Sequence, residues 1–330
     1  MVNYPAVRHP DEASLMKRAL NYDPNAVTNF LNNLSSADSR HCKILQETVH
    51  DLNAPLIWYQ LLYFLALHRW GNQVINYRLT DSFACERIDQ AIVEVFTQDD
   101  TIDEKLIKDT VLHEAQDHPE EGVQYAAAYI LGLRHDSSSI PILTTIIDKG
   151  SKEWKLRAVK ALSALKQKEC APPLMKALVI DRKKLHREAR RALQNLGPLA
   201  KSVWLDALNH PDSHIRWEAA HGLGQIGDPR AALTLAEGLF DENYVVRWAT
   251  ANVLAKMGDP GVPATLSVLS SHEISEPFRQ AAYHALHGCT SLRNHESFIP
   301  LLEALSGSNP CEPVAWIAQR LLKEWQRLKR

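Results

Sequence analysis

Much of what would assign this chain a function is missing from its sequence. Its five cysteines (Cys42, Cys85, Cys170, Cys289 and Cys311) lie far apart and form no CxxC pair. That excludes a disulfide framework and is the pattern of reduced thiols in a cytoplasmic protein. No P-loop, GxGxxG, GxSxG or HExxH motif occurs, so the common nucleotide, hydrolase and zinc-protease signatures are all absent. The N-terminus carries no basic segment leading into an apolar one, and no secretory signal is expected. The longest apolar run, PLIWYQLLYFLAL at 55–67, is too short to span a bilayer and contains Gln60, so it reads as a buried helix. Charge of either sign is nearly balanced, at −2 overall, which argues neither for nor against a polyanionic partner. What remains is 330 residues, 45% apolar and 23% charged, enough for two ordinary domains or one elongated one with a proper core.

The positive signal is a repeat. HIRWEAAHGLGQIGDP (214–229) is followed thirty-one residues later by VVRWATANVLAKMGDP (245–260). With Arg216 as position 0, alanines fall at +3 and +4, leucine at +7, isoleucine at +10 and glycine at +11. The zero position recurs at Gln124, Lys155, His186, Arg216, Arg247 and Arg279, in steps of 31, 31, 30, 31 and 32 residues. A fainter seventh copy, EPVAWIAQRLLKEW, places its zero at Ala315. Each unit divides into two helices. Pro229 suits a first helical turn and Gly258 a C-cap. No segment alternates with period two for long enough to suggest a sheet. Such a hairpin cannot bury its apolar stripes alone and must stack on its neighbours.

The stretch IRWEAAHGLGQIGDPRAALTLAEGLFDENYVVRWATANVLAKMGDP resembles the short HEAT repeat of the bilin-lyase type, a repeat also found in deoxyhypusine hydroxylase. The resemblance covers roughly residues 119–330 and implies an all-α solenoid of about six to seven helical hairpins. Residues 1–118 are helical in pattern but out of register and rich in aromatics. They are expected to form a degenerate helical cap continuous with the solenoid, with loops near 35–39 and 97–104.

In related HEAT proteins the second helix of each unit lines the concave face. The resemblance therefore implies that positions +1, +2 and +5 point into a groove, while 0, +3, +4, +7 and +10 pack inward. The +1/+5 pairs are Tyr125/Tyr129, Leu156/Lys160, Arg187/Arg191, Trp217/His221, Trp248/Asn252 and Gln280/His284. This selects Trp217, Glu218, His221, Trp248, Asn252 and His284 as partner-binding candidates. Two readings of the tryptophans stand: groove residues, or rings lying flat on neighbouring helices to stiffen the stack. Arg216 and Arg247 are expected to pair between repeats with acids such as Asp212 and Asp241.

Enzyme readings find little support. Deoxyhypusine hydroxylase-like proteins hold two irons through His-Glu pairs at +1/+2, and here those positions read Tyr-Ala, Leu-Arg, Arg-Glu, Trp-Glu, Trp-Ala and Gln-Ala. The dipeptides His113-Glu114, His272-Glu273 and His295-Glu296 fall elsewhere. His284, His287 and Cys289 cluster without an evident carboxylate, so no metal or other cofactor is expected. A bilin-lyase-like chaperone role rests on the repeat alone. Charge is unevenly spread: residues 81–121 hold 13 acidic and 3 basic side chains, whereas 149–201 hold 15 basic and 4 acidic. Arg157, Lys160, Arg187 and Arg191 are candidates for binding a nucleic acid or another polyanion, or the block complements acidic repeats. The sequence points to a non-catalytic, monomeric scaffold in the cytoplasm that grips a protein partner, with no membrane association.

Overall fold

A computed structural model describes residues 69–70, 73–74, 92–93, 121–180, 183–292, 295–307 and 314–328. The expected cap at 1–118 lies outside the described residues, apart from three short pieces. So do the loops at 35–39 and 97–104, the helix at 55–67, His113-Glu114, and Cys42, Cys85 and Cys311. Among the described residues the sole extended pairing is a two-residue antiparallel ladder, Arg69–Trp70 with Gln73–Val74. All other regular structure is helical, and no described helix is long and apolar enough to cross a membrane.

The chain divides into two compact units, Met1–Lys166 and Gln167–Arg330. In the first, α1 (Glu121–Leu133), α2 (Ile140–Lys149) and α3 (Lys152–Leu165) pack together. Alanines at 126–128 let the helices approach closely, and Gly132 lies against Ala161. Ser151 caps α3 by accepting from the Trp154 amide at 3.4 Å, satisfying one of the donors a helix start leaves open.

The second unit begins with α4 (Ala171–Ile180) and α5 (Lys184–Leu196). The chain continues through α6 (Lys201–Ala207), α7 (Ser213–Ile226), α8 (Ala232–Ala236) and α9 (Tyr244–Met257). It ends with α10 (Gly261–Ser271), α11 (Glu276–His287), α12 (Ile299–Ser306) and α13 (Val314–Leu328). Odd helices from α5 to α11 are the second members of the hairpins. α7 packs on α9 and α9 on α11, while α8 packs on α10, so two helical layers stack repeat by repeat. The fold is an all-α solenoid, as the spacing of the leucines implies. Leu193, Leu223, Leu254 and Leu286 are all buried.

Two turns show why the repeat is written as it is. Asp212 and Asn243 cap α7 and α9 by accepting from the amides of His214 and Val245, each at 2.9 Å. Gly227 closes α7 in a left-handed conformation at φ 65°, a cost-free position for glycine. The neighbouring repeats are also clamped by charge. Arg216 donates from Nε and a terminal nitrogen to the two carboxylate oxygens of Asp241 at 2.6 and 2.9 Å. Donation to the Asp241 carboxylate holds its guanidinium above the ordinary arginine pKa despite burial. This is the expected inter-repeat pair. Arg247 differs, donating to the backbone carbonyls of Asp241 and Glu242 at 2.7 and 3.0 Å.

The seventh copy departs from the stack. The step from Arg279 to Ala315 is 36 residues rather than about 31. α13 packs chiefly on α10, a first-layer helix, where the repeat would have put it on α11. Its Trp325 is buried beside Phe298, the ring centroids 6.0 Å apart. The last helix thereby covers apolar surface on the first layer.

Candidate functional site

Position +1 of the register does face outward in the second unit, but position +2 does not. In α7, α9 and α11 the residues at −1, +2 and +6 are buried: Ile215, Glu218 and Gly222; Val246, Ala249 and Val253; Phe278, Ala281 and Ala285. These residues are three or four apart and form a second buried stripe, next to the core stripe at 0, +3 and +7. A helix inside a stack has a partner on its flank as well as below it. The expectation that +2 points into the groove is therefore wrong for α7, α9 and α11, where Glu218 is 2% exposed, while Glu188 at +2 of α5 is partly exposed. The same flank explains Gly222, where a Cβ would meet the Trp204 ring at 2.5 Å.

Positions +1 and +5 form the outward face. Trp217 is half-buried, stacked on His214 (centroids 5.7 Å, planes 11° apart) and edge-on to His221 at 4.4 Å. Trp248 is 41% exposed. It stacks on His284 of the next repeat at 3.9 Å and 18°, and Tyr244 continues the row at 6.0 Å. Asn252 bonds His284 Nε2 through its side-chain oxygen at 2.8 Å, fixing that ring. Tyr244, Trp248 and His284 thus make a continuous aromatic row across α9 and α11, its His284 end fixed by Asn252. Burial pushes the His284 pKa down, and nearby His287 pushes the same way. Burial also lowers His221, opposed by Glu218 and reinforced by Lys256 and Arg190.

The basic candidates divide. Arg187 and Arg191 occupy +1 and +5 of α5 and are exposed, Arg191 with Glu188 at 3.3 Å. Lys160 is exposed on α3 in the first unit. Arg157 is already committed, lying over the Trp154 ring at 4.7 Å and paired with Glu153 at 3.0 Å. Tyr125 and Tyr129, expected on the outward stripe, are instead buried, with Tyr125 packed edge-on to Trp154 at 5.9 Å.

The cluster His284, His287 and Cys289 does not converge. His284 is held by Asn252, His287 stacks on Tyr283 at 5.1 Å, and the Cys289 thiol is buried. A different group comes together. His186 of α5, at position 0, directs Nε2 to Glu218 Oε1 at 2.9 Å, and His214 Nε2 lies 3.8 Å from the same oxygen. Arg190 donates to that oxygen as well, at 3.2 Å. The sequence reading missed this group because it searched for adjacent His-Glu pairs. The available signal was His214-x-x-x-Glu218, one helical turn on one face, with a histidine one repeat earlier where other repeats carry Arg, Lys or Gln.

A family model described as HEAT repeats matches residues 109–197, 181–244 and 202–287. No curated protein sequence matches the chain. Among solved structures, the chain is similar to importin beta at 15% identity, covering 98% of this chain and 56% of that one, with a TM-score of 0.40. It is similar to the complex of CpcE and CpcF of phycocyanin lyase from Nostoc sp. PCC7120 at 17% identity, covering 98% and 99%, TM-score 0.27. It is also similar to human deoxyhypusine hydroxylase at 17% identity, covering 83% and 98%, TM-score 0.29. At these scores the likenesses assign no partner or reaction to this chain.

Proposed function

The chain belongs to the HEAT-repeat family, and from that premise we propose that its second unit is a scaffold that grips an extended segment of a partner protein, one carrying aromatic and acidic side chains. The observation behind this reading is the stacked row Tyr244–Trp248–His284, with Trp248 41% exposed on the +1/+5 face. An exposed tryptophan held in one orientation loses little conformational entropy when a ligand covers it, which is why such rings dominate interface energies. Trp217 and His221 extend the row onto α7. Arg187 and Arg191 stand at the equivalent positions of α5, and Lys256 and Arg190 act on His221 with positive charge. Glu218 is turned inward and engaged by His186 and Arg190, and Glu188 on α5 pairs with Arg191. The face therefore presents aromatic surface flanked by basic side chains, among them the exposed Arg187 and Arg191, which is complementary to an acidic, aromatic-bearing strand.

The test is a random-peptide display selection on the full chain, run in parallel on Trp248→Ala. Enrichment of acidic peptides with an aromatic residue, lost on Trp248→Ala and weakened by salt, is the expected result. Selected peptides that bind the variant as well as the parent, or no enrichment over a blank surface, would overturn the reading.

A further inference from the structure

We propose that His186, His214 and Glu218 bind one divalent transition-metal ion of the zinc class between α5 and α7. Ligands about 2.0–2.1 Å from a tetrahedral zinc stand about 3.3 Å from one another. The Nε2 atoms of His186 and His214 lie 2.9 and 3.8 Å from Glu218 Oε1, and three ligand atoms of the group fall within 4.8 Å of one another. These distances bracket the tetrahedral edge, so a small movement of the carboxylate seats an ion against all three.

The protonation pattern points the same way. His186 Nδ1 lies 2.8 Å from the Leu178 carbonyl oxygen. A carbonyl only accepts, so the proton sits on Nδ1 and donates to it. That is the second-shell bond that orients metal-binding histidines. In neutral His186 the Nε2 lone pair then faces the Glu218 oxygen, acceptor against acceptor. A proton on Nε2 or a metal ion relieves that contact, and only the metal ion also engages His214. His214 brings a second lone pair to the same oxygen, its ring stacked on His186 at 5.2 Å and 28°. Two imidazoles and one carboxylate suit zinc, cobalt, nickel or copper rather than magnesium or calcium.

The ion has a route in and a purpose in the fold. The His214 side chain is 38% exposed, so solvent reaches a fourth coordination position, while His186 and Glu218 close the other side. α5 and α7 approach each other less closely than α7 and α9 do, and the His186–Glu218 contact spans that gap. An ion there ties two consecutive repeats together. Arg190 is its competitor for the carboxylate, at 3.2 Å from Oε1, and its removal should tighten binding. This inference is independent of the peptide-binding face.

The experiment uses the full chain, stripped with a chelator and then titrated with cobalt(II). Visible ligand-field bands saturating at one equivalent and displaced by zinc(II) are expected. Arg190→Ala should bind at least several-fold more tightly, and His284→Ala should bind as the parent does. His214→Ala and Glu218→Gln should lose the bands. Glu218 is buried, so its variant also tests folding; His214→Ala alters a partly exposed residue and suffices alone. Absence of saturable bands in the parent, equal binding by His214→Ala, or loss of binding in His284→Ala would each overturn the site.

Discussion

Replacing Trp248 and Trp204 separately by alanine sets an outward ring against a core ring. Trp204 is 1% exposed, packed beneath Gly222, whereas Trp248 is 41% exposed. A buried aromatic hides up to about 250 Å², so about 150 Å² of Trp248 is withheld from water. Truncation forfeits roughly 100 Å² of that, about 2.5 kcal/mol at about 25 cal/mol/Å² as an upper bound. No cavity follows, because water fills the vacated space. Trp204→Ala loses its whole transfer free energy and leaves a void, about 3–5 kcal/mol or more. For a cooperative unit of this size each kcal/mol lowers Tm by about 2–4 °C. Thermal melts followed by far-UV circular dichroism should therefore place Trp204→Ala well below Trp248→Ala. Equal losses, or a larger one for Trp248→Ala, would make Trp248 a packing residue and refute its placement on the binding face.

Three further outcomes are expected. Asp241→Ala leaves the buried Arg216 guanidinium only the exposed Glu242 and two backbone carbonyls and should cost about 3 kcal/mol by urea unfolding, whereas Arg216→Met with Asp241→Leu should cost less, since no buried charge is left without its partner. Gly222→Ala drives a methyl into the Trp204 ring and should destabilise by about 1–3 kcal/mol, measured the same way. His221 and His284 titrate below the ordinary histidine value of 6.5. The unfolded chain thus takes up their protons first, and stability present above pH 6.5 is lost as pH falls through the window below it. The urea midpoint should drop between pH 7.5 and pH 5.5, and His284→Gln should shrink that drop; an unchanged drop in the variant would refute the assignment.

The sequence alone determined the repeat, its paired helices and the Gly258 cap, while the Asp212 and Asn243 caps came from the structure. Apolar residues at 0, +3, +4 and +7 lie on one side of any helix, so a stripe recurring every thirty-one residues or so needs no coordinates to read as stacked hairpins. It also led to the expectation that Arg216 and Arg247 would pair with acids such as Asp212 and Asp241, and the structure selected Asp241 for Arg216 and backbone carbonyls for Arg247. Tertiary structure decided the rest. Whether +2 is wet or buried depends on the neighbouring helix and not on the residue's own, which is how Glu218 left the groove and met His186. Trp217 and Trp248 share one register position yet differ in surroundings, because both rings against the first, His214 and His221, come from its own helix, while the second stacks on Tyr244 of its own helix and His284 of the next. The packing of α13 on α10 is likewise something local periodicity does not specify. Spacing along one helix fixes the direction in which a side chain leaves it; only the packing of the next helix fixes what that side chain meets.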